Sequence, residues 1–195
     1  MGVKRTGPPC TGCGLQPPAW VQGTSPDPGA FPGYILEKEF DENIYNKPSP
    51  FGKSWGEMIL KPSIIYSSAL LDLLGRFGEE RKYDIKGIAH ITGGGIPGNF
   101  NRILRQTGLG ADFNDLFPPS AMVKKIQKIG HVTEVEAYKT WNMGNGMMIV
   151  VNKKDAEPIL SALSVKAKIV GSIIEEKKII IDSKGADTQK LIFEI

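Results

Sequence analysis

A strand-like run from Ile85 to Thr92 ends on Gly93-Gly94-Gly95, and a segment able to form a short helix, about 98 to 105, follows at once. This order fixes the local chain path: a buried strand, a tight turn, then a helix start. Three glycines directly after a strand let the backbone turn sharply and bring bare N–H groups to the surface. A helix start adds unpaired donors and a partial positive charge. The combination suits an anion, phosphate above all. It is neither a P-loop nor a dinucleotide fingerprint, because the Lys-Ser/Thr and G-x-G-x-x-G patterns are missing. A glycine-rich turn without a ligand remains the alternative.

The surrounding pattern predicts an α+β fold, a mixed sheet with packed helices, because helices and strands alternate without a strict βαβ rhythm. Residues 35 to 60 read as mixed and loop-rich. Pro62 suits the first turn of a helix. Ile65, Tyr66, Ala69, Leu70, Leu73, Leu74 and Phe77 then form one apolar face, which predicts a helix from about 62 to 79. Leu109 to Phe113 reads as a strand. Met122, Val123, Ile126 and Ile129 fit a short amphipathic helix, and Thr133 with Glu136 form a capping box for the next. Gly146 to Asn152 is strand-like, Asp155 is placed to cap a helix carrying Ile159, Leu160 and Leu163, and two strands follow at about 167 to 174 and 178 to 182.

The first 34 residues stand apart. They hold seven of the 14 prolines and seven of the 23 glycines and show no periodicity, so they read as an irregular tail before a domain at 35–195. Both cysteines, Cys10 and Cys13, lie there. A lone CxxC is half a zinc site or a redox pair, but the two histidines, His90 and His131, are far away in sequence, and Pro17 and Pro18 stand where a helix would have to begin. The net charge is +3, from 24 basic and 21 acidic residues spread along the chain, which argues against a nucleic-acid surface. No apolar run is long enough for a membrane span and no signal peptide opens the chain, so a cytoplasmic protein is expected.

On residue type alone, His90 is either a hydrogen-bonded strand histidine or a group lining the loop. Arg102 could reach an anion by a bidentate contact or simply be exposed. His131, after Gly130, reads as solvated. Thr140 to Met147 holds a second turn with two glycines one residue apart, where Asn142 can donate and accept. A tight turn before a strand is the bland alternative. No carboxylate cluster with metal spacing and no recognisable nucleophile–base pair appears.

Three separated segments carry a resemblance. Lys86-Gly87-Ile88-Ala89-His90-Ile91-Thr92-Gly93-Gly94-Gly95, with Asn99 and Arg102 downstream, resembles the GxAHITGGG…N..R signature of the aminoimidazole ribonucleotide synthetase family. Trp141-Asn142-Met143-Gly144-Asn145-Gly146-Met147 resembles its FNMGxGM signature, and Leu60-Lys61-Pro62-Ser63-Ile64-Ile65-Tyr66 its LxPTxIY segment. Order and spacing agree from about residue 31 to about 175. Related two-half ATP-dependent enzymes usually lack this pair of glycine motifs.

The resemblance implies the C-terminal half of a cyclo-ligase that uses ATP and magnesium to close the imidazole ring of formylglycinamidine ribonucleotide. Most ATP and magnesium groups are expected in an N-terminal ATP-binding half, which also forms the family's homodimer. By the same resemblance Thr92, Gly93, Gly94, Gly95 and Asn99 form a phosphate or substrate loop, and Arg102, Asn142 and Gly144 add binding positions. His90 is the catalytic candidate in the same cleft, and no metal ligand is assigned. Phe100-Asn101 replaces the usual Ile-Pro before the arginine. The N-terminal half is expected to be missing. A shifted reading frame would account for this: Thr6 to Gly12, back-translated and read one nucleotide earlier, admits a peptide resembling the family's Asn-Gly-x-Ser-Leu-x-Arg, with the family frame regained near Phe31. A genuine flexible extension is the alternative. By function, the alternatives are a stand-alone phosphate- or nucleotide-binding module, or a subunit completing a site with a separate ATP-binding half.

Overall fold

The computed structural model describes residues 32–195; the tail up to residue 31, with Cys10, Cys13 and the frame-shift expectation, lies outside the described residues. The fold is α+β, in the order α1 (Pro32–Phe40), a 3-10 turn (Glu42–Asn46), α2 (Trp55–Ile59), α3 (Ser67–Leu74), β1 (Ile85–His90), α4 (Gly95–Leu104), β2 (Gly110–Phe113), α5 (Ala121–Ile129), α6 (Glu134–Thr140), β3 (Met147–Val151), a 3-10 turn (Lys153–Asp155), α7 (Ala156–Ala162), β4 (Ser172–Ile174), β5 (Lys178–Asp182) and β6 (Lys190–Glu194).

The strands form two sheets. β1 and β3 make an antiparallel pair, and a mixed sheet runs in the order β4-β2-β5-β6. In that sheet β2 lies parallel to β5 and antiparallel to β4. Helix α4 joins the two sheets. Its residues Ile96, Phe100 and Leu104 recur at helical spacing and are buried, and Phe100 meets Phe113 of β2 edge-on with ring centroids 5.0 Å apart. Tyr138 from α6 and Ile179 and Ile181 from β5 complete the core around it. No helix among the described residues is long and apolar enough to cross a membrane.

Several sequence expectations need correction. The helix predicted from 62 to 79 is only α3: Ile65 and Phe77, at the two ends of the predicted face, are exposed and pack on nothing among the described residues. Gly75, at φ 80°, ends the helix. Residues 35 to 60 are not mainly loop, for α1 packs on α5, and α2 opens with a complete capping box between Ser54 and Glu57. Thr133 does cap α6 by accepting from the Glu136 N–H, but the Glu136 carboxylate accepts from the Thr140 hydroxyl instead of closing a box. Asp155 does occupy the N-cap position of α7, but its side chain makes no cap bond and accepts from the Asn152 side-chain NH2 instead. Strand β6 went unpredicted.

Candidate functional site

The register of β1 and β3 sets the site. His90 stands opposite Met147, and the Ile91 N–H extends the ladder to the Gly146 carbonyl oxygen at 2.9 Å. The end of β1 and the start of β3 therefore lie side by side, and the turns at 92–95 and 142–146 leave from one edge. Tyr66 arrives there too. Its ring meets His90 edge-to-face with centroids 6.3 Å apart, and it lies so close over Gly146 that any side chain there would strike its hydroxyl. The fold thus gathers all three sequence motifs at one place.

The glycines of the first turn do different work. Gly94 and Gly95 have φ of 97° and 57°, where a side chain is penalised. A Cβ on Gly95 would overlap the Tyr138 carbonyl group, with the carbonyl carbon only 2.7 Å away, so glycine lets α4 close on the last turn of α6. The Gly95 N–H donates to the Thr92 carbonyl oxygen at 3.0 Å, and the expectation that all three glycines present free donors is corrected at this position. Gly93 is exposed and Gly94 half-buried, and neither N–H has a backbone acceptor among the described residues. Those two amides are the donors left for a ligand.

Asn99 lies beneath this turn, only 2% exposed. Its side-chain NH2 donates to the carbonyl oxygens of Thr92, Gly93 and Gly95 at 3.4, 3.3 and 2.8 Å. It holds the loop from within, and its Oδ1 is buried without a partner among the described residues. Thr92 and His90 are exposed at the rim. Arg102 is exposed two turns along α4 from Gly95, about 10 Å by helical rise. It has no carboxylate partner among the described residues. His131 is exposed, at φ 50°.

The second turn is built on two asparagines. Asn142 is exposed; its Oδ1 accepts from the Gly144 N–H at 3.0 Å, and its carbonyl oxygen accepts from the Asn145 N–H at 2.9 Å. Gly144, at φ 86°, lies so near Pro118 that a Cβ would stand 2.6 Å from its carbonyl oxygen. Asn145 is buried and uses its whole amide. It accepts from the Phe117 N–H at 3.0 Å and donates to the carbonyl oxygens of Phe117 and Met143 at 3.1 and 2.9 Å. Sequence reasoning passed over Asn145. A polar residue between two glycines was the only signal, and it does not say which asparagine faces inward. The Phe117 segment is also tied by charge, for Asp115 accepts from Lys168 and Lys184 at 2.8 and 2.7 Å. These two ammonium groups hold its carboxyl down to about 2.

Chemically, this edge offers backbone N–H donors, a helix start, amide side chains, a histidine and an arginine. That set can accommodate an anionic group such as a phosphate. No cluster of three or more His, Cys, Asp or Glu able to hold a metal occurs among the described residues.

Comparison with known proteins agrees with the motifs. Residues 34–184 match the family model described as AIR synthase related protein, C-terminal domain. The chain is 32% identical over 157 residues to the phosphoribosylformylglycinamidine cyclo-ligase of Methanopyrus kandleri, covering 80% of this chain and 42% of that protein. It is 36% identical over 142 residues to that of Syntrophotalea carbinolica, covering 71% and 39%. It is 38% identical over 148 residues to that of Methanosarcina mazei, covering 73% and 40%. The chain therefore spans well under half the length of these relatives. With its three motifs gathered at one edge and the family model matched across most of its length, the chain belongs to the AIR synthase related family, as its C-terminal domain.

Proposed function

We propose that this chain, through a domain at 35–195, serves as the C-terminal half of a cyclo-ligase. The enzyme would close the imidazole ring of formylglycinamidine ribonucleotide in purine synthesis, and the chain would be incomplete without an N-terminal ATP-binding half. The observation that carries this is the meeting of the Gly93–Gly95 turn, the Asn142–Gly146 turn and Tyr66 at the end of the β1–β3 ladder. In this reading the amides of Gly93 and Gly94 and the hydroxyl of Thr92 take the substrate phosphate. Asn99 keeps the loop in shape, and Arg102 adds positive charge toward the same anion. The Asn142 NH2 donates to the substrate, and Gly144 leaves room for it. His90 stands where it can exchange a proton with a substrate nitrogen. ATP with magnesium supplies the phosphoryl group that activates the formyl oxygen. The partner half holds most of both and forms the homodimer.

The test is a titration of the 195-residue chain with formylglycinamidine ribonucleotide, followed by amide NMR. Shifts centred on Gly93, Gly94 and Asn142, with no ATP turnover by the chain alone, are expected. ATP turnover by the purified chain would overturn its incompleteness. Shifts absent from both turns would overturn the site. Binding of any ribose phosphate with equal affinity would move the reading to a general phosphate-binding module.

A further inference from the structure

Strand β6 forms one edge of the mixed sheet, bonded to β5 on one side and to no strand on the other among the described residues. The Ser183 N–H donates to the Gln189 carbonyl oxygen at 2.8 Å, so Gln189 turns its backbone toward the β5 side. Backbone direction alternates along a strand. Leu191 and Phe193 therefore do the same, and Lys190, Ile192 and Glu194 turn their N–H and C=O groups away from the sheet. No other segment among the described residues bonds to those groups. The side chains of the same three residues lie on the exposed face, Ile192 at 57% exposure, while Leu191 and Phe193 are buried. Free edges are commonly blunted by a proline, a bulge or a charge. Strand β6 has no proline, its register to β5 is unbroken, and an isoleucine stands at its centre. It also lies beyond residues 34–184, so the family match does not account for it.

The exposed face is ordered in rows. Lys178 of β5 stands opposite Glu194, Ile180 opposite Ile192, and Asp182 opposite Lys190, with Lys190 bonded to Asp182 at 2.8 Å. Along this face β6 therefore reads basic, apolar, acidic, at 190, 192 and 194. Such a strand is complementary to its own reverse. Two copies set antiparallel about a two-fold axis at Ile192 bring Lys190 of each opposite Glu194 of the other, and Ile192 opposite Ile192. These are the residues whose backbone faces outward, so each opposed pair exchanges both of its N–H···O=C bonds. Charge then alternates in sign along each outer row, from Lys178 and Glu194 of one copy to Lys190 and Asp182 of the other, and the middle row is all isoleucine. A parallel pairing in register would set Lys190 against Lys190 and Glu194 against Glu194, and like charges directly opposed are destabilising.

We infer that β6 is a self-association edge, on which a second copy of this chain lays its own β6 antiparallel and joins two four-stranded sheets into one. The same patch serves on both copies, so the contact closes at two. It goes beyond the function proposed above and does not rest on it, and it is separate from a homodimer formed through a partner half.

Sedimentation velocity of the 195-residue chain over a concentration series, read together with amide hydrogen exchange, tests this. A monomer–dimer equilibrium is expected, with exchange at the Lys190, Ile192 and Glu194 amides slowing as dimer forms. Lys190→Glu makes both charged positions of the strand acidic, and Glu194→Lys makes both basic. Each variant should self-associate about tenfold or more weakly than the parent, because like charges then face each other on both sides of the axis. Mixed one to one, the two variants should pair with each other as the parent pairs with itself, since every facing pair is again of opposite sign. A chain that stays monomeric throughout the series overturns the inference. So does a dimer indifferent to both variants, or one that they weaken and mixing does not restore. Slow exchange at the three amides at every concentration would show that another segment of the same chain covers the edge, and overturns it as well. The exchange readout uses the parent chain alone, so it decides the matter even where a substitution unfolds the sheet.

Discussion

Replacing Gly95 by alanine tests whether the first glycine turn is set by packing or by ligand access. At φ 57° an L-residue pays for the left-handed backbone, and its Cβ would overlap the Tyr138 carbonyl group. The backbone cost is about 1–2 kcal/mol, and forcing a methyl into a closed contact adds about 1–3 kcal/mol. The substitution should therefore cost roughly 2–5 kcal/mol, a large share of the roughly 5–15 kcal/mol that holds a domain together. Gly98, three residues on in the same helix, is the control. It is exposed, has no positive φ, and a Cβ there meets nothing within 4 Å. Alanine at 98 should gain the helix propensity that glycine forfeits, about 0.8–1 kcal/mol. In a melting experiment a chain of this size moves about 2–4 °C per kcal/mol. Gly95→Ala should melt well below the parent and Gly98→Ala slightly above it. A Gly95→Ala protein that melts with the parent, or a Gly98→Ala protein that melts below it, would refute the reasoning. If Gly98→Ala gains stability yet binds the ribonucleotide less tightly, the bare helix face serves the ligand.

Asn145→Ala removes three hydrogen bonds and strands both polar groups of the Phe117 backbone, so a loss of roughly 2–4 kcal/mol is expected in urea unfolding; a loss under 1 kcal/mol would show that water replaces the amide. The Asp115 carboxyl should titrate with a midpoint of about 2 by carbon NMR, depressed from 3.8 by the hydrogen bonds from Lys168 and then Lys184. Its folded value lies below the unfolded one, so its contribution is complete above about pH 4 and fades as pH falls through 2. Lys168→Met should raise that midpoint, and an unchanged midpoint would deny the bond. Burial pushes the Tyr138 phenol from 10.0 up to about 12. The native state then holds its proton longer than the unfolded chain, and stability should decline between about pH 10 and 12. Phenolate absorbance that appears at pH 10 in the Tyr138 difference spectrum would contradict this.

What the sequence reveals and what it hides follow from the range of the forces involved. The strand into Gly93–Gly95, the amphipathic α5 and the strand at Met147–Val151 are local patterns, and each forms where periodicity places it. The caps are local too, and Thr133 acts as one. Helix α3 is overcalled because periodicity cannot tell a core face from a face left bare, and Ile65 and Phe77 are exposed, with nothing among the described residues to cover them. Strand β6 alternates Leu191 and Phe193 inward against three exposed neighbours, a period-2 signal that sequence reasoning did not use. Register is the least visible feature. That His90 faces Met147, bringing two distant turns together, depends on which strands pair. No window of sequence contains that information.

The two turns share a design that bears on their chemistry. Each is fastened from below by a buried asparagine, Asn99 under one and Asn145 under the other. A neutral amide can satisfy several carbonyl oxygens without the desolvation penalty a buried ion would incur. It also adds no net charge to the site. A carboxylate in place of Asn99 would lose every donor to the loop carbonyls and set a negative charge under the Gly93 and Gly94 amides, opposing the positive end of α4. Charge is kept to the rim instead, where Arg102 is exposed and has no carboxylate partner among the described residues. As structure the arrangement already serves both turns, since each buried amide ties carbonyl oxygens of its own loop. An anion gains from each part of it: fixed donors, a helix start left unopposed, and a cation free to turn toward it.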